Sequence, residues 1–244
     1  MNRLSRALSR AAIFALTLLP AYAGLAYVVV PAAWQRYERR LPRPKDPSLT
    51  YTAEGIPADP INVALVGTRE SLCAAMREAG WAEADRISMR SGLRDAGSVL
   101  FARPYVSAPV STHFRHGLPQ DLAFERIVGG SPRRRHHVRF WESSERRDGL
   151  PVWIGAASYD CGLGFSRYTG EVMHHIDPQV DVERETLFDE LSRAGALQGV
   201  ERLMSFRPEG PGFNGGGDSY RSDGALLRGF LARGLSRPDA SPAR

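Results

Sequence analysis

Cysteine is almost missing from this chain: Cys73 and Cys161 are the only two in 244 residues. Two thiols exclude a disulfide framework and a cysteine-rich zinc module. They leave open either one Cys73–Cys161 bridge or a buried Cys73 thiol on a helix face with Leu72, Ala75, Met76 and Ala79. Metal-binding spacings are missing too, since there is no HExxH, no His-x-His and no cysteine pair. The glycine-rich loop carries no Lys-Ser or Lys-Thr, which excludes a P-loop. No segment repeats. With 43% hydrophobic and 24% charged residues, the composition excludes disorder of the whole. The net charge of +5 gathers around the first hydrophobic segment and at Arg133-Arg134-Arg135. That distribution suits a membrane surface and gives no footprint for nucleic acid.

What is present in strength is one long uncharged run. Residues 11–34, AAIFALTLLPAYAGLAYVVVPAAW, contain no charge. As a helix they span about 36 Å, enough for the hydrocarbon core of a bilayer. Trp34 and Tyr37 suit the interface. Pro20 and Pro31 would kink or end a helix, which lipid tolerates better than water does. A cleaved signal peptide fits the same region, with Arg3, Arg6 and Arg10 ahead of Ile13 to Leu19 and an Ala21-Tyr22-Ala23 cleavage site. Hydrophobicity continues past that site and favours an uncleaved anchor, which makes membrane lipid the first partner. Arginines on both sides pull the orientation both ways. The short basic head before a long domain is a signal-anchor layout, with the domain facing the envelope.

The expected organisation is a basic head at 1–10, the anchor at 11–34, a Pro-rich linker at 35–60, one domain at 61–232 and a tail at 233–244. Ile61 to Val66 reads as a strand. Thr68 is placed to cap a helix through Ala79, closed by Gly80, and a second helix is expected over residues 84–100. Short β-branched and aromatic runs follow at 110–114, 122–128, 136–142, 152–159 and 172–176. Turn signals divide them. A helix is expected over 181–192, with Asp181 as N-cap and Val182, Leu187 and Leu191 inward, and strands at 200–206 and 225–231. This order implies an α+β fold: a largely antiparallel sheet with two to three packed helices, behind one transmembrane helix.

An ordered set of motifs then stands out: NVALVG, a helix ending in AGW, HHVRFWE, PVWIGAASYD, HHID leading into DVERETLFDEL, and GGGDSYRSDG. From about Pro57 to Leu231 the chain resembles the LssY C-terminal domain family on these motifs. The resemblance implies a place more than a chemistry. Members of the family join this domain to multispanning membrane proteins, some with a lipid-phosphatase-like domain, and the founding member belongs to a type I secretion locus. It implies an accessory or binding domain in the bacterial envelope; with the signal-anchor layout, the expected place is the inner membrane with the domain on the periplasmic side. Envelope membrane proteins or secretion machinery become the expected partners.

Four of the six histidines stand in two adjacent pairs, His136-His137 and His174-His175. On a strand alternate side chains share a face, so His137, Arg139 and Trp141 fall together, and His136 falls with Val138 and Phe140 at the rim of a core face. His175 and Asp177 share a face if the strand persists. Asp160 is expected at a strand end, a good place for a functional carboxylate. One reading gathers His137, His175, Asp160 and Asp177 as ligands of a divalent metal, zinc, manganese or iron, that activates water, with Arg139 holding an anionic substrate. Another uses His137 as general base oriented by Asp177. These two make a hydrolase acting on a phosphorylated or lipid-related substrate. A third treats all of these as structural residues at strand edges. The aspartates of the glycine-rich loop, Asp218 and Asp223, oppose a phosphate cradle and suit a turn into the last strand. Arg184 is held in reserve as a group that reaches His175 or Asp177 from the helix start. Arg133-Arg134-Arg135 reads as a solvated turn.

Overall fold

The computed structural model describes residues 14, 16–40, 46–84, 111–129 and 131–232. The basic head, the helix expected over 84–100 and the tail lie outside the described residues. The apolar helix α1, Leu16–Trp34, is long and apolar enough to cross a membrane. It contains a π-helical stretch at Leu25–Val29 and is continued by Val30–Arg40. Part of the stretch read as a linker is sheet, since Leu49–Tyr51 (β1) pairs antiparallel with Pro57–Pro60 (β2). The prolines are accommodated because β2 is an edge strand.

Val63–Val66 (β3) is buried on both faces. Thr68 then caps Arg69–Glu78 (α2), its hydroxyl accepting from Ser71 N at 3.2 Å, and Gly80 at φ +83° ends the helix as expected. Cys73 is half-buried and free, as is the exposed Cys161. Short strands follow at Ala82–Glu83 (β4), Phe114–Arg115 (β5) and Leu118–Pro119 (β6). Leu122–Val128 (β7) leads into the longest hairpin, Ser131–Arg147 (β8) and Leu150–Phe165 (β9). Its turn, Asp148-Gly149, holds φ +49° and +79°, the doubly left-handed form that matches strand twist. Both strands outrun their expected lengths. Arg134 and Arg135 therefore lie on β8, not on a turn, and Asp160 lies inside β9.

Val172–Ile176 (β10) pairs with the far end of β9. Val180–Arg193 (α3) follows, with Gln179 as N-cap and no side-chain cap bond. Asp181 sits in its first turn instead, accepting from Asp223 N at 2.6 Å. Leu187 and Leu191 point inward as expected, whereas Val182 is exposed. Leu197–Leu203 (β11), the hairpin Gly210–Phe213 (β12) with Ser219–Ser222 (β13), and Leu226–Leu231 (β14) complete the chain.

The large sheet runs β11-β14-β3-β9-β8-β7-β4, with β10 beside β9. All its pairs are antiparallel except β14 with β3. The architecture is α+β, mostly antiparallel. One face carries Leu65, Phe124, Val138, Phe140 and Trp153 against Leu72 and Met76 of α2 and Leu187 and Leu191 of α3. The other face has an apolar half around Ala64, Trp141, Ile154 and Leu226. The small sheet β2-β1-β5-β6 touches this second face, where Trp141 Nε1 donates to Leu118 O at 3.1 Å.

Candidate functional site

The polar half of that second face is set by period-two alternation on β8. Arg135, His137 and Arg139 point one way while His136, Val138 and Phe140 point the other. Cross-strand register adds Glu125 opposite His137, and Asp160 opposite Arg135. From β2 comes Asp59, and from the residue just before β5 comes His113. Arg139 donates to Asp59 Oδ2 at 2.9 Å and to Ser111 O at 2.9 Å. Arg135 donates to Asp160 at 2.9 Å and to Glu125 at 2.9 Å. The His137 ring stands between two carboxylates, Nδ1 3.3 Å from Asp160 and Nε2 3.7 Å from Asp59. Both contacts are longer or more bent than an ordinary hydrogen bond.

Burial is nearly complete: Asp59 is 2% exposed, and His137, Arg139 and Asp160 are 3% exposed. Burial alone would raise the Asp59 and Asp160 carboxyls, but His137 and the adjoining arginines hold both well below the carboxylate range. Burial pulls His137 down, and Asp160 more than reverses this, so its pKa is raised and the carboxylate favours the charged ring. His113, next to Thr50 Oγ1 at 3.1 Å, is pushed down to about 3 by burial and by Arg139, so it is neutral. The network thus joins Asp59, Asp160 and Glu125 to Arg135, Arg139 and His137. It clamps the small sheet onto the large one.

A second group lies on the helix side. His136 Nδ1 meets Glu183 Oε2 at 2.7 Å. They line a cavity of about 220 Å³ with Tyr159, Asp177 and Val182. The Tyr159 ring packs against His136 with centroids 4.8 Å apart and planes tilted by 41°. Burial pushes Glu183 up to about 9 and, with the Arg126 charge, His136 down to about 4. Carboxyl and imidazole therefore hold one proton between them at neutral pH. Glu183 Oε1 has no hydrogen-bond partner among the described residues. A protonated acid facing a neutral base can move a proton or hold a ligand that donates hydrogen bonds.

A family model described as LssY C-terminus matches residues 43–226. The chain belongs to the LssY C-terminus family. Neither curated proteins nor solved structures give a match. The span matched to LssY C-terminus begins after α1 and takes in both the buried network and the cavity.

Within this LssY C-terminus domain the sequence-read residues divide between different places. His137, Arg139 and Asp160 meet in the network. His175 turns to Asp218, Nδ1 to Oδ1 at 2.6 Å, its ring lying over Gly164, where any Cβ would fall 2.0 Å from Nε2. His174, not His175, faces Asp160, with Nδ1 4.0 Å from Oδ2. Asp177 accepts from Gln179 N at 2.8 Å and borders the cavity. Among the described residues no group of three His, Cys, Asp or Glu side chains is placed to hold a metal ion. Arg184, 1% exposed, forks onto Asp223 at 2.8 and 2.9 Å and also bonds Asp181, Glu185 and Ala225 O. Both loop aspartates are thus tied to the protein, Asp218 to His175 and Asp223 to Arg184.

Asp59, His113, Glu125 and Glu183 escaped the sequence reading. Glu183 had a usable signal, since it falls on the buried stripe of α3 with Val180, Leu187 and Leu191. A carboxylate on an apolar stripe is a candidate for a shifted pKa.

Proposed function

We propose that this LssY C-terminus protein is a membrane-anchored accessory or binding domain of the bacterial envelope. In this reading α1 makes a single pass of the inner membrane and the sheet domain works in the periplasm, beside other envelope membrane proteins or secretion machinery. The observation that carries it is α1 itself: an apolar helix with Leu16, Leu19, Val28 and Val29 exposed precedes the domain in the chain. The compensated charges of the buried network suit a structural clamp, because each named charge has a counter-charge inside the protein. Membrane fractionation tests the anchor. The chain is expected to stay in the membrane pellet after alkaline carbonate, and a carboxyl-terminal alkaline phosphatase fusion is expected to be active. Release by carbonate, or an inactive fusion with a fluorescent cytoplasmic counterpart, would overturn anchor or orientation respectively.

A second reading rests on the His136–Glu183 pair. It is a hydrolase that uses this dyad, with Asp177 at the cavity rim, on a phosphorylated or lipid-related substrate. A divalent metal remains part of that reading. A screen of phosphomonoesters and phosphodiesters with and without zinc or manganese tests it. Turnover lost in Glu183→Gln at unchanged folding supports it, and absence of turnover in the wild type across the screen counts against it.

A further inference from the structure

The hairpin formed by the ends of β9 and β10 is held by the anchor helix. Tyr22 donates from its hydroxyl to Gly170 O at 2.6 Å, in the turn. Tyr27, five residues nearer the domain, accepts from Val172 N at 2.9 Å, at the root of β10. The Tyr22 ring meets Phe165 edge-on at 6.4 Å, and Trp34 lies 5.3 Å from the Tyr168 ring. Tyr22 and Tyr27 both lie within Leu16–Trp34, roughly 18 Å and 10 Å along the helix from Trp34. A bilayer that takes up the helix must therefore meet the hairpin beside it.

The hairpin has the surface for that. Phe165 is 62% exposed and Val172 51% exposed, side by side across the strand pair. Its backbone is also prepared. Lipid offers no hydrogen bonds, and each orphaned peptide group there costs several kcal/mol. Within the turn Ser166 N donates to Glu171 O and Gly170 N to Ser166 O. Ser166 Oγ accepts from Tyr168 N and Thr169 N, and Arg167 N donates to Gly216 O. β10 has only β9 as a strand neighbour. On its open side the two tyrosine hydroxyls satisfy groups that water would otherwise take. Arg167 is exposed at the tip.

We propose that the β9–β10 hairpin is a second membrane-contacting element, with Phe165 and Val172 inserted among the lipids alongside α1. The inference rests on the anchor reading. It seats the domain against the bilayer surface instead of leaving it to swing on a tether.

The test uses the full chain reconstituted in phosphatidylethanolamine–phosphatidylglycerol vesicles. In a Cys73→Ala/Cys161→Ser background, Phe165→Cys, Val172→Cys and, as a control on β11, Val200→Cys are each labelled with an environment-sensitive fluorophore. Probes at 165 and 172 are expected to be quenched by spin-labelled acyl chains and shielded severalfold from iodide. The probe at 200 is expected to show the reverse. If all three behave like position 200 while the chain still floats with the vesicles, the hairpin proposal is overturned and the anchor stands. If the chain does not float, the anchor reading fails and the hairpin proposal falls with it. A Tyr22→Phe/Tyr27→Phe variant adds a second check, because loss of the two hydroxyl bonds is expected to reduce shielding at 172 without releasing the chain.

Discussion

At the scale of the residue, the two histidines of one pair live in opposite electrostatic worlds. His137 stands between carboxylates that raise its pKa, while its neighbour His136 faces a protonated Glu183 and stays neutral. Removing one member of the buried network strands its partner. Asp59→Ala leaves Arg139 without its carboxylate partner and His137 with Asp160 alone, and is expected to cost about 3–5 kcal/mol in urea unfolding. Asp59→Leu combined with Arg139→Leu is expected to recover much of that loss, since no unpaired charge remains. The acid pair sets a pH dependence. Glu183 binds its proton up to about 9 in the fold, against an ordinary 4.5, so the folded state holds the extra proton between those values and stability falls as pH rises. His136, at about 4 instead of 6.5, contributes the opposite slope between 4 and 6.5. The two cancel below 6.5, and Tm is expected to decline from there to pH 9. Glu183→Gln is expected to flatten most of that decline; an unchanged profile in this variant would show that Glu183 is ionised throughout.

Elements obey local rules better than they obey expected lengths. The cap at Thr68 is a local rule, and Thr68→Ala is expected to cost about 1 kcal/mol, read as a lower urea midpoint at unchanged slope. The same locality made β3, α2, β7, β10 and β14 legible from periodicity and turn residues alone. It also gave the shared face of His137 and Arg139, because alternation is a property of one strand. What was illegible came from pairing across distance. Asp59 lies 80 residues from Arg139, and its two flanking prolines disguise an edge strand as linker. The exchange of His174 for His175 has a sharper cause. The register passes from His175 opposite Gly162 to Ile176 opposite Asp160, skipping Cys161. That bulge is invisible in one strand's alternation, yet it decides which histidine meets Asp160.

For the whole molecule, anchor, hairpin and sheet form one mechanical path: α1 to the β9–β10 turn, β9 to the centre of the large sheet, and the ion network from there to the small sheet. Cutting that path at the anchor is expected to leave a folded domain. Residues 46–244 made without α1 are expected to show a cooperative thermal transition and to expose Phe165 to solvent, giving faster limited proteolysis near the hairpin than in the full chain. Equal protection there would show that α1 does not cover the turn. One further consequence follows from the parallel pairing of β3 with β14, which joins Val63 to Leu227. Nearly the whole domain lies between these two strands, so the centre of the sheet closes only after the last strand has left the ribosome. At about 5–20 residues per second, β3 waits roughly 8–30 s for its neighbour. Until β14 arrives β3 has β9 alone as a neighbour, and the β11–β14 end of the sheet is the last to be laid down.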